Sequence, residues 1–294
     1  MTLRLHSLAA QPRSTRRRLR APCAPCASLA QQDALARFVE TRLPPDRRLL
    51  DDAHAATLLG GESAATALAE RCGDCAAEVV AARCLDTALM EAVAPVDGSP
   101  GLRQVVALGY GADTRPLRLP WPQGVCFYEL GPHAALAHAE LSLLASAAQA
   151  PRLRRVAADA APGVAWAPQL LAAGYMPDRP GAWALQGLHR LGSEEVAATL
   201  QEVGSLAALG SSVTGEAALP EAPLSALLAA AGFRLDAWAP LGEVAASLGR
   251  QVEAPGRVVF AATKARFTGV QEERLREQLH FHESETSEEG FEEA

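Results

Sequence analysis

Gln104-Val105-Val106-Ala107-Leu108-Gly109-Tyr110-Gly111-Ala112-Asp113-Thr114-Arg115 decides the fold, because a short apolar strand runs straight into a turn that carries two glycines. Without a Cβ, Gly109 and Gly111 leave the backbone free to take positive φ and let a ligand approach the main chain. A strand with no polar alternation is one buried on both faces, which holds such a turn rigid. Further along, Val125-Cys126-Phe127-Tyr128-Glu129-Leu130 brings a carboxylate to the end of what reads as the neighbouring strand. A carboxylate there can accept two charge-assisted hydrogen bonds from a ribose diol, so the pair of segments suits a nucleotide.

From this point outward, short apolar runs alternate with amphipathic stretches, the pattern of a doubly wound α/β sheet. Strands are expected at 104–108, 125–130, 153–157, 182–186, 205–211, 234–239 and 256–263. Helices are expected at 132–147, 193–202 and 222–232, the last closing at Gly232. Right-handed crossovers make the first five strands parallel and place a ligand crevice beyond their C-terminal ends, where the strand order reverses. The final two strands read as an antiparallel closing pair. Residues 33 to about 95 carry apolar positions at helical spacing (Leu35, Ala36, Phe38 and Val39; Ala55, Leu58 and Leu59; Leu85, Leu89 and Val93) and form a helical cap ahead of the sheet. The expected organisation is thus a basic segment over 1–32, an α/β domain over 33–270 with its cap over 33–95, and an acidic tail over 271–294.

With 49 % hydrophobic residues, 294 residues have ample material for a core. A net charge of −7 argues against general nucleic-acid binding, and no run approaches the roughly eighteen apolar residues of a membrane span. Charge is uneven along the chain. Six arginines and no acid precede Asp33, a composition that resembles a plastid or mitochondrial transit peptide or else an unstructured basic tail that stays in the cytosol. Residues 271–294 hold nine glutamates against two arginines, whose self-repulsion favours an extended tail. Cys23/Cys26 and Cys72/Cys75 are Cys-x-x-Cys pairs, but the gap between them is far longer than in a compact zinc ribbon, and no metal site is expected. Cys84 and Cys126 read as ordinary buried residues.

Leu108-Gly109-Tyr110-Gly111-Ala112-Asp113-Thr114-Arg115 followed by Pro116-Leu117-Arg118-Leu119 resembles the central motif of the leucine carboxyl methyltransferase family. Further blocks in the family's order are Leu49-Leu50-Asp51-Asp52-Ala53-His54-Ala55, Ala82-Arg83-Cys84-Leu85-Asp86, Ala157-Ala158-Asp159 and Ala230-Ala231-Gly232-Phe233, so the resemblance covers about residues 33–265. It implies a class I fold and S-adenosyl-L-methionine as cofactor. It also implies methyl transfer to an oxygen, a carboxylate of a small metabolite or of a protein terminus. Carried over by motif, Arg83 pairs with the methionine carboxylate, Gly109 and Gly111 pass along the cofactor, and Asp159 with Ala160 meets the adenine. Asp113, Thr114 and Arg115 brace the turn. By itself Arg83 reads equally as an exposed helix arginine and Asp159 as a loop aspartate.

Two positions depart from the family. Relatives end the second strand with acid, apolar residue and aspartate, the aspartate holding the ribose, whereas Glu129-Leu130-Gly131 lacks the second acid. Glu129 then takes the diol, provided the strand end twists enough to let it reach the space beside Gly131. The fourth strand, which in relatives ends in glutamate, has Gln186, which keeps an amide but loses the charge that favours a sulfonium. His133, His189 and Arg190 lie near the expected crevice mouth, where an acceptor would enter. An ionised carboxylate acceptor needs no general base, so no catalytic residue is assigned. The alternatives are a degenerate binding module, motivated by Gly131 and Gln186, and a nicotinamide-dependent oxidoreductase, disfavoured by Thr114 at the place of a third glycine.

Overall fold

The structure, a computed structural model, describes residues 28–96, 98, 100–144, 152–158 and 165–266. Seven strands, β1 (Gln104–Leu108), β2 (Cys126–Gly131), β3 (Arg152–Ala157), β4 (Gly181–Leu185), β5 (Ser212–Ala217), β6 (Phe233–Pro240) and β7 (Val258–Lys264), form one sheet in the order β3-β2-β1-β4-β5-β7-β6. The first five are parallel, and β7 is antiparallel to both its neighbours. The helices among the described residues are α1 (Leu29–Thr41), α2 (Ala55–Leu58), α3 (Glu62–Ala69), α4 (Ala76–Val93), α5 (Arg115–Arg118), α6 (His133–Leu143), α7 (Ala167–Ala172), α8 (Ser193–Leu206), α9 (Glu221–Ala230) and α10 (Leu241–Ser247).

Strand periodicity explains why both sheet faces are apolar. Val105, Ala107, Phe127, Ala182 and Ala184 point to one side and pack on Leu85, Leu89 and Val93 of α4. Their alternates Val106, Tyr128, Leu130, Trp183 and Leu185 point to the other side and pack with Leu170 of α7, Val196, Leu200 and Val203 of α8, and Leu224 and Leu228 of α9. The same alternation puts Glu129 and Gln186 on the α4 side, two residues beyond Phe127 and Ala184. Gly232, at φ +83, follows α9 as the left-handed residue expected there.

The fifth strand is the element whose place differs from the expected 205–211. Val196, Leu200, Val203 and Leu206 continue at helical spacing, so α8 extends through Leu206. The strand is instead Ser212-Val213-Thr214-Gly215-Glu216-Ala217, a polar sequence for a buried position. Glu216 is 1 % exposed there and is tolerated because Arg257 donates to it through two nitrogens, with Nε at 2.8 Å. In the same way, the basic segment expected to reach residue 32 ends earlier, since Ser28 caps α1 by accepting from the Gln31 N–H at 3.2 Å. The remainder of 1–32, the acidic segment 271–294 and Cys23/Cys26 lie outside the described residues. Among the described residues no helix is long and apolar enough to cross a membrane.

The cap is fastened to the sheet by buried charge. On α1, Asp33, Arg37 and Glu40 are buried beside Leu35, Ala36 and Phe38, while Val39 is exposed. The Arg37 guanidinium donates to Asp33, to Asp52 Oδ2 at 2.7 Å and to the Ala112 carbonyl at 3.1 Å. Asp52 also accepts from Thr114 Oγ1 at 2.6 Å. Burial opposes the Asp52 charge, but Arg37, Arg118 and the two hydrogen bonds outweigh it and hold the carboxyl below its usual range. Arg37→Met, which strands two buried carboxylates, is expected to cost about 3–5 kcal/mol in urea denaturation. Arg42→Ala, which breaks the exposed pair with Glu62, is expected to cost less than about 1 kcal/mol.

Candidate active site

The two glycines do different work. Gly111 has φ +76, and a Cβ there would lie 2.7 Å from the Ala135 Cβ on α6. Its missing side chain therefore serves the seating of α6 as well as the bend. Gly109 has ordinary φ, but a Cβ would press on Gln186 at 3.3 Å, so it keeps the gap between β1 and β4 narrow. Ala112 follows at φ 62, a left-handed conformation costly for a residue with a Cβ, and Arg37 holds its carbonyl.

Asp113, Thr114 and Arg115 brace this turn as expected. Asp113 accepts from the Arg115 N–H at 2.8 Å and from Arg115 Nη1 at 2.7 Å. Arg115, 3 % exposed, also reaches Asp86 at 2.8 Å and the Gln186 carbonyl oxygen at 3.2 Å. Asp86 is shared with Arg118 at 2.5 and 2.8 Å, and the two guanidinium groups hold its carboxyl below the usual range against the opposing effect of burial.

A small cavity, with room for about one water molecule, opens over the turn, between the ends of β1, β2 and β4, where the strand order reverses. Gly109, Gly111, Glu129 and Gln186 all line it, together with Arg115 and, unexpectedly, Asp33. Glu129 does face the cavity, but it is already engaged: Oε1 accepts from the Asp113 N–H at 2.8 Å and Oε2 from Arg155 Nε at 3.1 Å. Burial, followed by the charge of Asp113, pushes its carboxyl up to about 7 despite those two donors. The space expected beside Gly131 does not exist. A Cβ there would fall 2.8 Å from the Gly111 nitrogen, so the turn itself fills the place of the missing aspartate. Glu129 therefore faces the cavity from its own strand position.

The lost glutamate at Gln186 is a different case. Gln186 Nε2 donates to Asp33 Oδ1 at 2.8 Å, so α1 carries a carboxylate to the end of β4. Nothing in the sequence spacing pairs residues 33 and 186; a single aspartate on the buried face of a helix is the only trace of it. Arg83 sits on the exposed face of α4 and lines neither this cavity nor the one beside it, because α4 turns Glu78 and Asp86 inward instead. The arginine at the cavity is Arg115. Asp159 and Ala160 lie outside the described residues. His133 is exposed at the start of α6.

A second cavity, equally small, adjoins the first and shares Asp33, Tyr110 and Gln186 with it. Tyr110 leans over Gly187, where a Cβ would meet its hydroxyl at 2.2 Å, and accepts from Arg190 Nε at 3.0 Å. His189 and Arg190 follow β4 on a short 3₁₀ turn, Leu188–Arg190, and line this cavity with Glu78, Glu216 and Arg257. Among the described residues no cluster of three or more His, Cys, Asp or Glu is arranged to hold a metal.

This architecture, a doubly wound sheet with an acid-lined cavity over a glycine turn, is that of a class I methyltransferase domain. The chain belongs to the leucine carboxyl methyltransferase family, whose profile matches residues 30–204. It is 31 % identical to O-methyltransferase 1, chloroplastic, of Oryza sativa subsp. japonica over 67 % of this chain and 60 % of that protein. Two proteins bearing the name S-adenosyl-L-methionine-dependent methyltransferase also match, from Parafrankia sp. at 40 % identity over 38 % of this chain and 36 % of theirs, and from Frankia alni at 37 % over 54 % and 53 %. The chain thus spans between about a third and three fifths of these curated relatives. Among solved structures, the CurJ carbon methyltransferase aligns with a TM-score of 0.47 at 16 % identity, over 81 % of this chain and 67 % of that one.

Two outcomes follow from the geometry. Because Glu129 keeps its proton to about pH 7 when folded and releases it near 4.5 when unfolded, its contribution to stability falls as pH rises between those values. Glu129→Gln is expected to remove that slope in urea titrations at pH 5 and pH 8, gaining on the order of 2 kcal/mol relative to the parent at the higher pH. Gly131→Asp, which would restore the family's acid, is expected to destabilise by more than about 2 kcal/mol by driving a side chain into the turn.

Proposed function

We propose that this chain is an S-adenosyl-L-methionine-dependent methyltransferase acting on an oxygen of a small acceptor. The observation that carries the reading is the first cavity. The main chain of the glycine turn, an acid that burial makes hold its proton more tightly, a buried arginine and a carboxylate converge there on one space. The residues fit the cofactor: Gly109–Gly111 would lie along it, Glu129 would accept from the ribose diol, and Arg115, which lines the cavity while bonded to Asp86, Asp113 and Gln186, is the cation that would face the methionine carboxylate. Asp33, held by Gln186, offers negative charge at the boundary of the two cavities, where a sulfonium would be favoured. This reading assigns Asp159 and Ala160, which the structure does not describe, to the adenine.

When bound, S-adenosyl-L-methionine supplies an activated methyl group on a good leaving group. What the protein must do is orient an acceptor oxygen behind that carbon and exclude water, which is worth several kcal/mol, up to about 7–11, of the barrier. Tyr110, lying between the cavities, and α1, which covers both through Asp33, are placed to do this. A carboxylate acceptor, as the family name suggests, would need an unopposed cation in the second cavity. Yet Arg190 and Arg257 there face Asp33, Glu78 and Glu216. A neutral acceptor suits that balance better.

Titration calorimetry with S-adenosyl-L-methionine and S-adenosylhomocysteine is expected to give micromolar binding that is lost at least tenfold in Asp33→Asn or Glu129→Ala and is unchanged in Arg83→Ala. Absence of binding at millimolar concentration would favour a degenerate binding module, and loss in Arg83→Ala would return the carboxylate contact to α4.

A further inference from the structure

We propose that His189 is a general base for a hydroxyl acceptor of phenolic acidity held in the second cavity, with Glu216 fixing its tautomer. The inference rests on the methyl-transfer reading above and deepens it by naming the acceptor class.

Glu216 projects from near the C-terminal end of β5, is 1 % exposed, and accepts from the Gly187 N–H at 3.0 Å and from two nitrogens of Arg257. Arg257, with the neighbouring His189, overrides the burial cost and keeps this carboxylate ionised through the whole neutral range. His189 Nδ1 is buried and stands 3.3 Å from Glu216 Oε2, within ion-pair reach but without the geometry of a hydrogen bond, and it has no hydrogen-bond partner among the described residues. An ionised carboxylate at that distance repels a lone pair on Nδ1 and favours the proton there, which leaves the lone pair on Nε2. Nε2 has no hydrogen-bond partner among the described residues and is not buried, and the ring lines the second cavity. A base oriented by a third group, beside a cavity adjoining the donor's, is the arrangement that proton abstraction requires.

The charge around the cavity selects the acceptor. Glu216 on β5, Arg257 ahead of β7, Glu78 on α4, Asp33 on α1, and Arg190 with Tyr110 at the strand ends all face it. Arg257 is matched by Glu216 and by Glu78 at 3.2 Å, while Arg190 is occupied by Tyr110 and stands 3.8 Å from Glu78. Asp33 is matched in turn by Arg37, so every cation at this cavity is already opposed and none is left for an anionic acceptor, whereas a neutral hydroxyl needs none. In the step itself, the acceptor's O–H proton passes to His189 Nε2 as its oxygen lone pair forms the bond to the methyl carbon. The electron pair of the broken carbon–sulfur bond stays with the departing thioether, and the imidazolium then returns its proton to water. An imidazole matches a hydroxyl of about tyrosine's acidity far better than an aliphatic alcohol.

Three measurements test this. In ¹⁵N-edited spectra of the protein without ligands, neutral His189 is expected to carry its proton on Nδ1; a proton on Nε2 overturns the proposal. Incubation with S-adenosyl-L-methionine tritiated in the methyl group and a small-molecule extract of the source cells is expected to give label stable to mild alkali, as in a methyl ether. Label released as methanol means an ester and overturns the proposal while leaving methyl transfer intact, whereas no label together with no donor binding removes both. With the labelled fraction as acceptor, His189→Asn and His189→Gln are expected to lose about 10²-fold or more in kcat at pH 7. They should regain most of it by pH 9.5, with the affinity for S-adenosylhomocysteine retained. An equal loss at every pH, or none, assigns His189 a structural role only. Should both variants fail to fold, the tautomer and the alkali stability still decide.

Discussion

Buried ion pairing across the glycine turn is the constraint on which this molecule depends. The turn contains a strained non-glycine residue, Ala112, and a glycine, Gly111, pressed against α6, so it does not hold its shape through local preference alone. It is held by charges from elements distant in sequence. Asp52, from the loop before α2, joins Thr114 to Arg37 of α1, and Asp86 of α4 joins Arg115 to Arg118. Each carboxylate is buried and shared, Asp52 by Arg37, Thr114 and the His54 N–H, and Asp86 by the two arginines. Such an arrangement adds little net stability over an apolar core, but losing one member leaves an uncompensated charge in the interior. Its value is in specificity, since only one placement of the cap satisfies all the donors.

The same network shapes the cavity. Arg115 and Asp33 line the space and are also structural members, so the cap and the site fold as one unit. The two departures from the family pattern acquire separate explanations. At Gly131 the turn has moved into the space of a side chain, so nothing is vacant. At Gln186 the charge has been relocated, because the amide binds a carboxylate borrowed from α1, some 150 residues earlier in the chain. Negative charge beside the strand end is thereby kept although the strand itself lost it.

Beyond β4 the sequence turns polar in positions that a sheet normally keeps apolar. Glu216 near the end of β5 is the clearest case, and such polarity explains why that strand was expected seven residues too early: the apolar run Leu206-Ala207-Ala208-Leu209 at the helix end is a stronger strand signal than Ser-Val-Thr-Gly-Glu-Ala. Burial of that glutamate is compensated chiefly by Arg257, which precedes β7, together with the Gly187 N–H, and neither has a local relation to it. The placement of Arg83 was illegible for a related reason. Motif spacing locates a residue along a helix, but which face packs on the sheet is settled by the whole apolar set of α4, and that set turns Arg83 outward.

By itself the sequence determined the alternation of strands and helices from Gln104 onward, the antiparallel closing strand, the glycine turn at the head of the sheet, and the presence of Glu129 and Gln186 at the strand ends. These follow from periodicity and from residues whose backbone preferences are local. Only the tertiary structure decided that Asp33 meets Gln186, that Arg115 is the arginine at the cavity, that the turn occupies the place of the absent aspartate, and that His189 stands against Glu216. Those pairings join residues far apart in the chain. They are fixed by the need to neutralise charge in a low-dielectric interior, a condition of the packed whole that no window of sequence contains.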